Sequence, residues 1–336
     1  MKTIVLKFLL SLLLVVATIS PHSFSLTIYT YDSFASKDSL GIRLKTLFEK
    51  QSGKKLNFTL FPSSGEALNQ IVLEGKQTAA DVIIGVDQNL LSKASLSSHF
   101  EKLNEKWWKE IPGELDFDPT HTFLPFDYGY LAFVYDSQRT GEVPKTTLQD
   151  FSGKGAWKKR VVIEDPRTSS LGLSFLVSTM ALYGSKWGEF WKGFSGQLIA
   201  VVPSWSGAYG IFLKKEADFV LSYTTSPAYH IEKEGNHKIK ALEFSEGHYR
   251  QVEGVGILKH SKHKEEAYVL LNLLLSREVQ SSIPTTNWMY PVRSGPLPPS
   301  FNSLLKVKKT ISMDPGEIEK SRPLWLRQWT SLMAGG

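Results

Sequence analysis

The sequence predicts an α/β fold of two lobes, each a mainly parallel sheet flanked by helices, with a ligand cleft at the hinge between them. Three observations carry that reading. Strand-like and helix-like segments alternate from residue 26 onward, the alternation restarts after residue 160, and two β-rich stretches fall where the chain would cross between lobes. Length agrees with it: some 310 residues follow the first 25, more than a single ordinary core accommodates.

The N-terminus reads as a cleavable secretory signal over residues 1–25. Lys2 and Lys7 precede an apolar run from Phe8 to Ile19, and Ser23-Phe24-Ser25 supplies small residues at a cleavage site. That run is shorter than a bilayer span. After it, Leu26–Tyr31 alternates as a first strand, and Leu40–Gln51 is helical, with Ile42, Leu44, Leu47 and Phe48 expected on one face. Lys55–Phe61 alternates as a second strand, Ser63-Ser64-Gly65 caps a helix Glu66–Glu74, and Ala80–Gly85 is a buried third strand. Phe126–Tyr135 is long enough to leave one sheet and enter another. Then come a strand Arg160–Glu164, helices from about Gly172 to Tyr183 and from Lys186 to Phe194, a strand Gln197–Val202, a helix Gly207–Lys214 and a strand Phe219–Tyr223. Gln251–Leu258 returns the chain to the first lobe, followed by a helix Lys264–Leu275. The expected division is 26–127 with about 253–290 in one lobe, and 128–252 with about 291–336 in the other.

Composition narrows the class. Without Lys2 and Lys7 the formal net charge of +6 falls to +4, and the basic residues are dispersed, so no nucleic-acid-binding stripe is present. There is no cysteine, so an exported chain must be stabilised by burial alone, for which a 42% hydrophobic content is sufficient. The nine tryptophans and twelve tyrosines are the distinctive feature, because several lie within turn chemistry rather than in apolar segments.

Ligands of open α/β sheets bind beyond the carboxyl ends of the strands, and these clusters fall largely there. Tyr31 ends the first strand and Ser63-Ser64-Gly65 follows the second. Asp165-Pro166-Arg167-Thr168-Ser169-Ser170 offers hydroxyls and free N–H groups at a helix start, suited to a phosphate or carboxylate or equally to an ordinary cap. Trp205 stands between two serines. Tyr223-Thr224-Thr225-Ser226-Pro227 places one phenol and three hydroxyls on a turn, Tyr229 lies six positions after Tyr223, and Trp288 sits between Asn287 and Met289. An aromatic box stacks on flat rings and attracts cations by roughly 0.5–2 kcal/mol per contact. The implied ligand is flat, cationic at one part and anionic at another.

Catalytic readings are weaker. No nucleophile elbow or Walker loop occurs, and Gly153-Lys154-Gly155 reads as a turn. His260-x-x-His263 lacks an adjoining Glu, so no metal site is expected, and His121, His230 and His248 have no spacing partner. Asp127 and Asp165 are an acid–base pair only if the fold brings them face to face.

Seven segments, in order along the chain, resemble the family of thiamine-binding periplasmic proteins, the substrate-binding components of thiamine ABC transporters. They are YTYDSF (Tyr29–Phe34), PFDYGYLAFVYD (Pro125–Asp136), EDPRTSSLGL (Glu164–Leu173), WSGAYGIFLK (Trp205–Lys214), LSYTTSPAYHI (Leu221–Ile231), FSEGHY (Phe244–Tyr249) and IPTTNWMYPV (Ile283–Val292). The resemblance implies a type II-like periplasmic-binding-protein fold and a monomeric receptor in the periplasm. It implies a receptor that closes on thiamine, thiamine monophosphate or thiamine pyrophosphate and hands it to a membrane permease, with no cofactor and no catalytic residue. By motif position, Tyr31, Trp205, Tyr229 and Trp288 would line the rings. Ser169, Ser170, Tyr223, Thr224, Thr225 and Ser226 would lie toward the hydroxyethyl or phosphate end. The family's acidic residue before a glycine, in the loop after the second strand, is missing here, which moves that contact to Ser64 and Gly65. A receptor for a polyamine or ferric iron is the nearest alternative, though a polyamine pocket wants more acids than these motifs hold and Tyr223 lacks the adjacent tyrosine of ferric sites. A secreted phosphate-ester hydrolase, drawing on Asp165, Ser169 or His230, is the enzymatic alternative.

Overall fold

The computed structural model describes residues 25–91, 99–153 and 157–335. The expected signal segment, apart from Ser25, and the turn at Gly153-Lys154-Gly155, apart from Gly153, lie outside them. Eleven strands run in the order β2-β1-β3-β9-β4-β7-β5-β6, with β8 and β10 pairing β4 and β11 pairing β9. In chain order these are β1 Ser25–Tyr31, β2 Lys55–Phe61, β3 Val82–Asp87, β4 Leu124–Asp136, β5 Val161–Glu164 and β6 Leu198–Val202. They continue with β7 Phe219–Tyr223, β8 Ile239–Ala241, β9 His248–Ile257, β10 Tyr290–Pro291 and β11 Thr310–Ile311.

The two outer groups are parallel, β2-β1-β3 on one side and β7-β5-β6 on the other. Between them lie β9 and β4, antiparallel to each other and to their neighbours. β4 serves both sides in succession. Its first half, Leu124–Tyr130, pairs β9, and its second half, Leu131–Tyr135, pairs β7. The length of Phe126–Tyr135 therefore reflects two sheets sharing one strand.

Each side packs helices on its sheet. Helix Leu40–Ser52 buries Leu40, Leu44 and Phe48, an i, i+4 stripe, in the core that also holds Leu26, Ile28 and Val82, and lies against β2 and the helix Lys264–Leu274. Ile42, expected on that face, is 39% exposed, because two residues along a helix is more than half a turn away from Leu44. On the other side, helix Ser170–Tyr183 is buried from Leu171 to Met180, and its Phe175 meets Phe133, Phe190, Trp191 and Phe194 edge-on or tilted. Trp191 is fully buried and donates its Nε1–H to Thr179 Oγ1 at 2.9 Å. The C-terminal helix Pro315–Ala334 seals this core with Trp329, edge-on to Trp191. Trp107 is buried as well. Among the described residues no helix is long and apolar enough to cross a membrane.

Helix starts coincide with strand ends. Ser63, Ser169 and Ser204 are the N-cap residues of helices Ser64–Glu74, Ser170–Tyr183 and Trp205–Leu213, each accepting the backbone N–H three residues later, at Glu66, Gly172 and Gly207. Gly172 is required by contact: a Cβ there would lie 2.5 Å from the Glu164 carbonyl oxygen, and backbone cannot step aside. Gly172→Ala should therefore destabilise the protein by about 1–3 kcal/mol, overpacking outweighing the helical preference for alanine. Urea denaturation of the two proteins measures it.

Candidate functional site

The loops at the strand ends of the two sides touch. Ser63 Oγ donates to the Thr168 carbonyl at 2.5 Å, and Ser206 Oγ donates to Asp32 Oδ2 at 2.7 Å. Thr168 Oγ1 in turn donates to the Pro203 carbonyl at 3.1 Å, so the loop after β5 ties the loop after β2 to the loop after β6. Three helix N-termini, those beginning at Ser64, Ser170 and Trp205, are thereby gathered at one place. Their free N–H groups and dipoles make a positive pole from uncharged atoms. Ser64 Oγ is buried there and has no hydrogen-bond partner. Gly65 is pressed against the opposing loop, since a Cβ on it would stand 2.9 Å from the Thr168 carbonyl oxygen.

Tyr31 reaches this region because β3 bulges at Gly85, between Ile84 and Val86. Gly85 has φ +99°, and a Cβ on it would fall 2.6 Å from the Tyr31 ring and 3.2 Å from Ser64 Cβ. The Tyr31 hydroxyl donates to Glu253 Oε2 at 2.8 Å and accepts from Asn287 Nδ2 at 3.3 Å. Burial, reinforced by the acids Glu253 and Asp127, pushes this phenol well above the usual tyrosine range, so it is a neutral donor.

On the opposite side, Trp205 donates its Nε1–H to Ser222 Oγ at 2.9 Å and stacks on Tyr209 with centroids 4.8 Å apart. Ser222 Oγ meets Ser226 Oγ at 2.7 Å, and Ser226 Oγ accepts the Tyr223 N–H, which fixes the Tyr223–Ser226 turn. The Tyr223 hydroxyl donates to Gln251 on β9 at 2.9 Å. Thr224 and Thr225 are fully buried, and both hydroxyls lack a partner. Tyr229 is 39% exposed and meets Trp288 edge-on at 5.2 Å. Trp288 has φ +58°, a left-handed conformation unusual for a bulky residue and of the kind that strained functional positions hold.

Charge is where the structure adds most. Asp87, Asp127, Glu164 and Glu253 are all buried, and all four act on the Tyr223 phenol, which burial first and then these acids push well above its usual range. Each comes from a different strand: β3, β4, β5 and β9. Asp127 and Glu253 stand opposite each other in the β4–β9 register, and burial raises both carboxyls above the usual range, the charge of Asp127 adding to the effect on Glu253. Asp127 Oδ2 also accepts from Asn287 Nδ2 at 2.6 Å, while Oδ1 has no N–H or hydroxyl donor. Asp87 accepts from Gln251 Nε2 at 2.6 Å, and burial still raises it to about 7. Glu164 has a partner at neither oxygen, and burial raises it well above the usual carboxyl range.

The sequence motifs thus under-counted the acids around the aromatics. Asp127 and Asp165 are not an acid–base pair: Asp127 engages Glu253 and Asn287, while Asp165 is held by Arg167, at 2.9 Å to Nε and 2.5 Å to Nη2. His230 is a core histidine between the Tyr209 hydroxyl and Glu234, each at 2.9 Å. Among the described residues no three His, Asp or Glu side chains are grouped to hold a metal.

The bacterial extracellular solute-binding protein model matches residues 77–313. A thiamine-binding periplasmic protein of Salmonella typhimurium is 40% identical over 327 residues, covering 96% of this chain and 98% of its own length. The chain belongs to the thiamine-binding periplasmic proteins. A solved periplasmic thiamin binding protein superimposes on this family member with a TM-score of 0.86 at 39% identity, over 92% of this chain and 96% of its own. Iron-bound HitA from Pseudomonas aeruginosa shares the two-lobed periplasmic-binding fold, with a TM-score of 0.76, at 20% identity.

Glu164 gives the pH test of this geometry. A carboxyl whose folded-state value is raised binds more protons folded than unfolded once pH exceeds about 4, so its contribution to stability falls as pH rises toward the folded value. Glu164→Gln should leave the melting temperature nearly unchanged at pH 4 and raise it at pH 8 by roughly 2 °C or more. Thermal unfolding at the two pH values checks the sign.

Proposed function

We propose that this family member is a periplasmic receptor that closes its two lobes on thiamine and on thiamine phosphates and presents them to the membrane permease of an ABC transporter. The observation that carries the reading is the pairing of opposite poles in one cleft. Helix N-termini at Ser64, Ser170 and Trp205 suit a phosphate or hydroxyl, while buried acids behind Tyr31 and Tyr223 suit a cationic ring. Tyr31, Trp205, Tyr229 and Trp288 supply aromatic surface to either side, and the unpartnered hydroxyls of Ser64, Thr224 and Thr225 supply directional contacts. Thiamine joins a permanently cationic thiazolium to a hydroxyethyl arm that carries any phosphate, which matches both poles. The names of the relatives support the same ligand. A receptor returns its ligand unchanged, and the burial of His230 between Tyr209 and Glu234 leaves a hydrolase without that base.

Closure follows from contacts made to both lobes. A ligand stabilises the closed form only by its differential affinity for that form, and here each pole draws on residues from either side of β4. Mass spectrometry of small molecules released by denaturing the purified protein should recover thiamine or a phosphate ester of it; a different solute would reject the reading. Trp205→Ala should weaken thiamine binding about tenfold, as loss of a stacking and cation–π contact of 1–2 kcal/mol implies, with the fold intact by circular dichroism. An unchanged affinity would remove Trp205 from the site.

Ser64 sets the balance among ligands. A hydroxyl at a helix N-terminus repels a phosphate less than a carboxylate does, so Ser64→Asp should weaken thiamine pyrophosphate by tenfold or more while changing thiamine itself little. Calorimetry with both ligands gives the ratio, and equal losses would count against the assignment of this pole to phosphate.

A further inference from the structure

The Asp127–Glu253 pair has a role that the receptor reading does not by itself require. The two residues stand directly opposite each other in register on the two central strands, and both are buried. Two buried carboxylates facing each other repel, and a proton shared by the pair relieves that repulsion. The groups facing the pair are Tyr31 from β1, Asp87 from β3, Tyr223 from β7 and Asn287 from the turn that carries Trp288. None is a cation. Arg322, which interacts with Asp87, commits its Nη1 to the Asn89 carbonyl at 2.6 Å. Among the described residues no cation acts on Asp127 or Glu253, and Asp127 Oδ1 has no hydrogen-bond partner.

We propose that Asp127 and Glu253 are the counter-charge for a heteroaromatic cation bound against Tyr31 and Trp288, and that the proton they share leaves to solvent as the cation binds. The balance is simple: protonated receptor and cationic ligand give the complex and one free proton. The ring's positive charge takes over the electrostatic role the proton held, which makes the site selective for a fixed cation over a neutral heterocycle of the same shape. Tyr31 and Asn287 transmit the change, because both are hydrogen-bonded to the pair and both border the aromatic box. Burial raises both carboxyls above the usual range, which favours the protonated pair before the cation arrives.

This inference rests on the thiamine reading, and one experiment separates the two. Thiamine is titrated into the wild-type protein at pH 7 in two buffers of different ionisation enthalpy. The expected result is a buffer-dependent heat equivalent to about one proton released per thiamine, with affinity rising up to tenfold per pH unit between pH 6 and pH 8. The double substitution Asp127→Asn with Glu253→Gln should abolish the buffer dependence and flatten the pH profile; thermal unfolding reports whether that variant is folded, and the wild-type titration decides the matter if it is not. Binding whose heat is the same in both buffers overturns the proton exchange and leaves the receptor standing. No binding of thiamine at all overturns both.

Discussion

The antiparallel contact between β4 and β9 is the constraint on which the rest of the molecule depends. Two parallel sheets, each complete enough to carry its own helices, need a connection that holds them together and still leaves their strand ends facing one another. A single long strand that pairs β9 with its first half and β7 with its second does both. The cleft floor is therefore backbone hydrogen bonding, and β4 changes partners between Tyr130 and Leu131. Side chains that must work on a ligand from below have to come from this floor, and Asp127, Gln251 and Glu253 do. Those that work from the walls come from helix starts, which parallel strands deliver to one rim without further design.

Much of this was legible in the residues. The strands and helices were readable because parallel sheets buried on both faces need short apolar runs, and because capping serines mark where helices begin. Ser63 and Ser169 occupy the N-cap positions that their sequence context suggests, while Ser204 caps a helix that starts at Trp205 rather than at Gly207. Tyr31 and Tyr223 end their strands, but Tyr229 lies inside helix Pro227–Glu234 and Trp288 in the turn before β10. The acids were not readable in the same way. Attention to turns finds residues placed by turns, whereas Asp127 and Glu253 sit inside mostly apolar strand segments, LPFDYGY and VEGVGI, and Glu164 ends the strand VVIE. A carboxylate inside a strand buried on both faces was the signal available, since burying an unpaired acid is costly and such a residue seldom persists without a use. Register was the missing information. Nothing in either segment alone says that residue 127 faces residue 253.

Trp288 makes the same point about backbone. No sequence pattern announces a tryptophan with φ +58°, and its conformation follows from neighbours on both sides. The turn Ile283–Thr286 supplies the carbonyl of Ile283 to its N–H, while Asn287 is held by Asp127 and Met289 is buried against Gly129. With residues 287 and 289 both fixed to the floor, the residue between them has one way to point, outward to Tyr229. The strain is thus the consequence of anchoring an aromatic plate to the same acid that faces Glu253.

That shared anchor links recognition to shape. A ligand that alters the hydrogen bonding of Asp127 alters the partner that orients Asn287, and Asn287 precedes the plate on which a ring would stack. On the other wall, Tyr223 is joined to Gln251 and through it to Asp87, so the turn carrying Thr224 and Thr225 answers to the same group of acids. The two walls meet electrostatically in the floor even though they belong to different lobes. A solute with the right outline but no positive charge would touch the aromatics and hydroxyls yet leave the floor as it was. Closure requires free energy that differs between open and closed forms, and the floor is the one part of the cleft that both lobes share. Under the proposed function, charge recognition and lobe closure are one event seen from two sides.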